Sequence, residues 1–142
     1  MGLLKHTPDK TRIKFCGFTR SSDVDAAVSL GVDALGFVFY EPSPRYVSPE
    51  MAAALIGRMP GGIDAVALVV NPTDEEVKRI KDRVPMTLWQ FHGDESPGRC
   101  EEIAEGMPWM KAARIKPGFN LSDFSLQYAK AAGFLLDAFV EG

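Results

Sequence analysis

Six short apolar runs recur along this chain at near-constant spacing: Ile13–Cys16, Ala34–Phe39, Ala65–Val70, Thr87–Phe91, Trp109–Ile115 and Gly133–Asp137. Their starts are separated by 21, 31, 22, 22 and 24 residues. Each interval has room for one helix and its two connections, so the repeating unit reads as a strand followed by a helix. Ala65-Val66-Ala67-Leu68-Val69-Val70 is apolar at every position rather than at alternate ones. That is the pattern of a parallel strand covered on both faces. The expected architecture is therefore α/β, built around a parallel sheet.

The intervals carry helix signals with physical causes. Ser22 is placed to cap a helix over Asp23–Leu30, and Gly31 suits the left-handed residue after its end. Ser48 before Pro49 predicts a helix start, with Ala52–Met59 continuing it. Thr73 and Glu76 form a capping box for a helix running through Val84, and Asp74, Glu75 and Glu76 favour the positive end of its dipole. Ser96-Pro97 opens a fourth helix; Ser122 opens a fifth that ends near Gly133. The pattern sums to (βα)5β. A complete eight-unit barrel takes about 200 residues or more, so the 142 residues here read as a barrel interrupted before its last quarter. The expected division is a tail over residues 1–11 and a partial TIM barrel over 12–142.

Composition narrows the class. A net charge of −3 provides no basic field for nucleic acid. No run reaches the roughly 18 apolar residues of a membrane span, and the leading segment is too short in its apolar part for a signal peptide. Those features predict a cytoplasmic protein with no membrane partner. Two cysteines, Cys16 and Cys100, are expected to stay reduced, one ending a strand and the other packed on a helix.

In parallel barrels the active site lies in the loops at the carboxyl ends of the strands. Four such ends here carry reactive or recognising groups: Cys16, Arg45 after the second strand, His92 after the fourth, and Asp137. A thiol and a carboxylate so placed can work as base and acid on one substrate. Lys14 shares side-chain parity with Cys16, so it can face the interior below the thiol. Its ammonium then either favours the thiolate or forms an internal ion pair. Arg45, in the proline-stiffened Glu41-Pro42-Ser43-Pro44-Arg45-Tyr46, can grip a carboxylate through two parallel hydrogen bonds. Gln90 and His92 share parity and point to the barrel mouth, and Arg114 on the fifth strand lines the interior.

Lys14-Phe15-Cys16-Gly17-Phe18-Thr19, Ala34-Leu35-Gly36-Phe37-Val38-Phe39-Tyr40, Ser43-Pro44-Arg45-Tyr46-Val47, Gln90-Phe91-His92-Gly93-Asp94-Glu95 and Leu135-Leu136-Asp137-Ala138 occur in that order. Together, from Arg12 to Ala138, they resemble the phosphoribosylanthranilate isomerases of tryptophan biosynthesis. The resemblance implies a TIM barrel and an Amadori rearrangement of a small phosphosugar, N-(5-phosphoribosyl)anthranilate, without cofactor or metal. It implies Cys16 as base, Asp137 as acid and Arg45 as the group that recognises the anthranilate carboxylate. Gln90, His92 and Arg114 are then substrate-binding, with Lys14 and Gly17 in support. The base must be available as thiolate, from an ordinary thiol value of about 8.5, whereas the acid must hold a proton, which burial encourages.

The family's phosphate grip, glycine-rich segments after the seventh and eighth strands, has no counterpart in this sequence. Gly61-Gly62 precedes the third strand and reads as a turn. With the first and sixth strands unable to pair, both present open edges, which predict self-association or instability. A lyase or synthase of another phosphosugar barrel would place a lysine acid or a metal cluster at strand ends, a pattern missing here. A non-catalytic half-barrel that acts only with a complementary chain is the other alternative.

Overall fold

Each of the six apolar runs forms a strand, with bounds that differ from the expected ones by no more than one residue. In the computed structural model, which describes residues 2–138, these are β1 (Lys14–Cys16), β2 (Ala34–Val38), β3 (Asp64–Val69), β4 (Leu88–Phe91), β5 (Trp109–Ile115) and β6 (Gly133–Ala138). They pair in parallel in chain order, forming a half-barrel with β1 and β6 at its two edges. Residues 139–142, inside the expected barrel segment, lie outside the described residues. Five helices alternate with the strands: α1 (Ser21–Ser29), α2 (Pro49–Ile56), α3 (Asp74–Arg83), α4 (Pro97–Ala104) and α5 (Leu121–Gln127).

The two faces of each strand have different neighbours because successive side chains alternate. Outward residues Leu35, Phe37, Ala65, Ala67, Val69, Trp89, Phe91 and Trp109 form one core with helix residues such as Val24, Leu55, Val77, Ile80 and Ile103. Inward residues at the amino ends, Ala34, Val66, Leu88 and Met110, form a small second cluster. Leu3 packs against that cluster, and its backbone N–H donates to Asp64 Oδ2 at 2.6 Å. The leading segment thus covers the bottom of the half-barrel. Asp33 anchors the start of β1 by accepting the Ile13 N–H at 2.9 Å and the Arg12 guanidinium at 3.1 Å.

Three helix starts follow the sequence. Ser48 accepts the Met51 N–H, Ser96 accepts the Arg99 N–H, and Thr73 and Glu76 make both bonds of the capping box. Two starts do not. α1 begins at Ser21, with extended Arg20 at its N-cap and no side-chain cap; Ser22 falls inside the first turn, where Arg20 pairs instead with Asp23 at 3.1 Å. α5 is capped by Asn120, which accepts the Asp123 N–H, rather than by Ser122. It also stops at Gln127, well before Gly133. Tyr128 is its C-cap, at φ −103° and ψ 40°, and the Tyr128 hydroxyl donates to the Glu95 carbonyl at 2.7 Å. α2 closes at Ile56 rather than Met59, because Arg58 and Met59 turn back onto the Leu55 and Ile56 carbonyls. Gly61-Gly62 forms the turn before β3, with Gly62 at φ 92°.

Candidate active site

The carboxyl ends of the strands surround an open cavity of about 490 Å³. Lys14 and Cys16 reach it from β1, Arg45 from the loop after β2, Gln90 and His92 from β4, Arg114 from β5, and Asp137 from β6. The structure therefore gathers the sequence-predicted side chains at one mouth. Gly17 lies at its rim, at φ 99°, directly after the thiol.

Geometry gives these groups their chemistry. Cys16 is partly exposed and free, as a base requires. Arg45 crosses over Gly17 and donates from a terminal guanidinium nitrogen to the Cys16 carbonyl at 2.9 Å, which leaves most of its fork facing solvent. A Cβ at residue 17 would lie 2.5 Å from Arg45 Cδ, so the close crossing requires glycine as much as the positive φ does. Gln90 Nε2 lies 3.2 Å from His92 Nδ1, and His92 Nε2 lies 3.2 Å from Asp137 Oδ2. An amide nitrogen can only donate, so Nδ1 accepts and the ring proton sits on Nε2, aimed at the carboxylate. Gln90 is 1% exposed, and its Oε1 has no partner among the described residues.

One expectation about this mouth fails. Asp137 is not buried: its side chain is 49% exposed, because β6 is an edge strand and nothing described packs on its far side. Lys14 forms no ion pair among the described residues, and its side chain lines the cavity. Lys14, Arg45 and Arg114 leave the mouth cationic, with Asp137 the one carboxylate on its wall among the described residues.

Beneath the loop after β4 lies a cluster that the motifs did not flag. Lys111 Nζ donates to Glu95 Oε1 at 3.0 Å and to the Gly93 carbonyl, with side chains 3% and 1% exposed. Glu95 also accepts the backbone N–H groups of Gly93 at 3.0 Å and Asn71 at 2.7 Å, and the Lys111 ammonium lies 5.4 Å from the Tyr128 ring centre. This pair ties the loops after β3 and β4 to β5, and so holds the backbone that carries His92. A lysine inside Trp109-Met110-Lys111-Ala112-Ala113 was the available signal, since such a buried charge needs a partner. Cys100 packs beside it with 0% exposure, and burial pushes its thiol up to about 12.

Known proteins resemble this chain in sequence and in fold. A family model described as N-(5'-phosphoribosyl)anthranilate (PRA) isomerase matches residues 13–142. An N-(5'-phosphoribosyl)anthranilate isomerase of Ralstonia nicotianae is 53% identical over 135 residues, covering 94% of this chain and 59% of the relative. The chain thus spans about three-fifths of the length of such curated relatives. The crystal structure of the phosphoribosyl anthranilate isomerase from Thermotoga maritima superposes with a TM-score of 0.81 at 34% identity, over 92% of this chain and 62% of that one. A phosphoribosyl anthranilate isomerase solved with reduced 1-(o-carboxyphenylamino)-1-deoxyribulose 5-phosphate superposes at 0.79 and 35% identity, over 90% and 65%.

Proposed function

The chain belongs to the N-(5'-phosphoribosyl)anthranilate isomerase family, and from that premise we propose that its mouth cavity performs that family's Amadori rearrangement in the cytoplasm. The observation that carries the reading is the convergence of Cys16, Arg45 and the His92–Asp137 pair on one cavity.

The substrate is N-(5-phosphoribosyl)anthranilate, a secondary amine joining a furanose to an aromatic carboxylate. Asp137, as acid, gives a proton to the ring oxygen, and the furanose opens to a protonated Schiff base. Cys16, as thiolate, takes the proton from the adjacent sugar carbon. The resulting enolamine tautomerises to 1-(2-carboxyphenylamino)-1-deoxyribulose 5-phosphate. Nothing is oxidised or reduced overall; two protons change place. The His92 Nε2–H supports the carboxylate that Asp137 becomes after donation, and Gln90 holds the ring in that tautomer.

Arg45 grips the anthranilate carboxylate, and Gly17 gives its guanidinium room beside the base. Lys14 and Arg114 complete a cationic mouth that favours a substrate bearing a carboxylate and a phosphate. Lys14 also sits below the thiol, where its charge adds to that positive field. The fold is read as part of an eight-unit barrel, with residues 12–142 supplying its first six strands. The apolar side chains on its edges, Phe15 at 44% and Leu136 at 58% exposure, support self-association of this chain.

Fluorescence titration with the reduced product analogue tests the reading through Arg45. Removing a charged hydrogen-bond partner costs about 1.5–3 kcal/mol, so Arg45→Ala should weaken binding by about tenfold or more. Equal affinity for the parent chain and Arg45→Ala would refute the assigned carboxylate grip.

A further inference from the structure

Gly36 sits in the middle of β2 without a backbone reason to be glycine. It is absent from the residues of positive φ, and glycine inside a strand is unfavourable relative to alanine. A strand glycine of this kind often marks a close approach by another group. Here the group is the thiol. Gly36 is the register partner of Cys16, and a Cβ built on it would lie 2.7 Å from Cys16 Sγ. The Cys16 Cα and Cβ would lie at 3.2 Å. The carbonyl of Gly36 also accepts the N–H groups of Gly17 at 3.0 Å and Phe18 at 3.2 Å, which ties down the turn that follows the thiol.

We infer that Gly36 is a positioning residue for Cys16: the bare Cα is the seat over which the thiol rests, and it fixes the rotamer in which Sγ faces the mouth. The assignment of that thiol as the base rests on the proposed function; the seat itself does not. The closest clash is with the free end of a side chain, which can swing. A methyl group at residue 36 is therefore relieved chiefly by turning Sγ out of its seat, with a yield of a few tenths of an ångström at the Cα and Cβ of Cys16. The consequence is specific. Gly36→Ala should fold normally and misplace the thiol, whereas a glycine kept for packing alone would show the reverse.

The test uses the 142-residue chain and needs no turnover. Iodoacetamide alkylation of Cys16 is followed across pH in the parent chain, Gly36→Ala and Gly36→Ser, with Cys16→Ser as the blank and a melting curve for each. Cys100, buried and with its thiol near 12, does not compete. Among the described residues, the charged and titratable groups that line the cavity with the thiol are Lys14 on β1, Tyr40 and Arg45 after β2, His92 after β4, Arg114 on β5 and Asp137 on β6. They are common to parent and variants, so a changed profile reports the thiol's own displacement. The expected result is an alkylation rate changed by about threefold or more, at a melting temperature within about 3 °C of the parent. A smaller rate change, or a variant that fails to fold, overturns the inference. If the parent chain shows no isomerase turnover while Gly36→Ala still changes alkylation, the functional reading fails and the seat stands.

Discussion

Replacing Lys111 by methionine should be among the most damaging single changes outside the mouth. The substitution keeps most of the apolar stem of the side chain and removes the ammonium, with its charge and its hydrogen-bond donors. Glu95 then keeps its two backbone donors, Gly93 and Asn71, but loses the cation 3.0 Å away, in a site where it is 1% exposed. The Gly93 carbonyl loses its donor as well. Removing one partner of a buried ion pair costs about 3–5 kcal/mol, because the other charge stays buried without compensation. An unfolding entropy near 2.1 cal/mol/K per residue gives about 0.3 kcal/mol/K for a chain of 142 residues. Lys111→Met should therefore melt about 10–17 °C below the parent by circular dichroism at neutral pH. Glu95→Gln added to it removes the stranded charge and should recover about half of the loss. A Lys111→Met melting point within about 3 °C of the parent would show that water reaches the pair and that burial is not its governing feature.

Other consequences are smaller. Thr73→Ala removes the hydroxyl that accepts the Glu76 N–H in the α3 capping box, while the Thr73 N–H still donates to Glu76; it should cost about 1 kcal/mol, lowering the melting temperature by about 3 °C. The Asp33 carboxyl is held below its ordinary 3.8, first by the Ile13 N–H and, against the opposing effect of burial, also by Arg12 and Lys10. A depressed folded value means stability that is present above 3.8 and lost as pH falls through the folded value. Melting curves for Asp33→Asn should lie below the parent at pH 6 and converge with it below that range; a constant gap at every pH would contradict the assignment. A thiol reagent at pH 8 should find one fast cysteine in the native chain, Cys16, and two after unfolding, since burial lifts the Cys100 thiol to about 12.

Much of this molecule is readable from local pattern. The strands are legible because a parallel strand covered on both faces must be apolar throughout, and the spacing leaves room only for a helix between them. Cys16, Arg45, His92 and Asp137 are legible because each ends or follows such a run. What resists reading depends on contacts far apart in sequence. Tyr128, at the early end of α5, bonds to Glu95, 33 positions away, which no property of the helix reveals. Lys111 and Glu95 are ordinary charges until the fold buries them together. The exposure of Asp137 follows from β6 lying at an edge, a property of the sheet and not of the residue. Gly36 looks like any strand glycine until the register sets it opposite the thiol.

The central claim is that Cys16 and Asp137 act as base and acid across one cavity, and turnover tests it most directly. Single-turnover reaction of N-(5-phosphoribosyl)anthranilate with excess 142-residue chain is followed by the change in anthranilate fluorescence. The parent chain is compared with Cys16→Ser and Asp137→Asn. The account predicts a measurable rate for the parent and loss of about a hundredfold or more in each variant, the scale of a removed acid or base. A parent rate equal to that of either variant would contradict it.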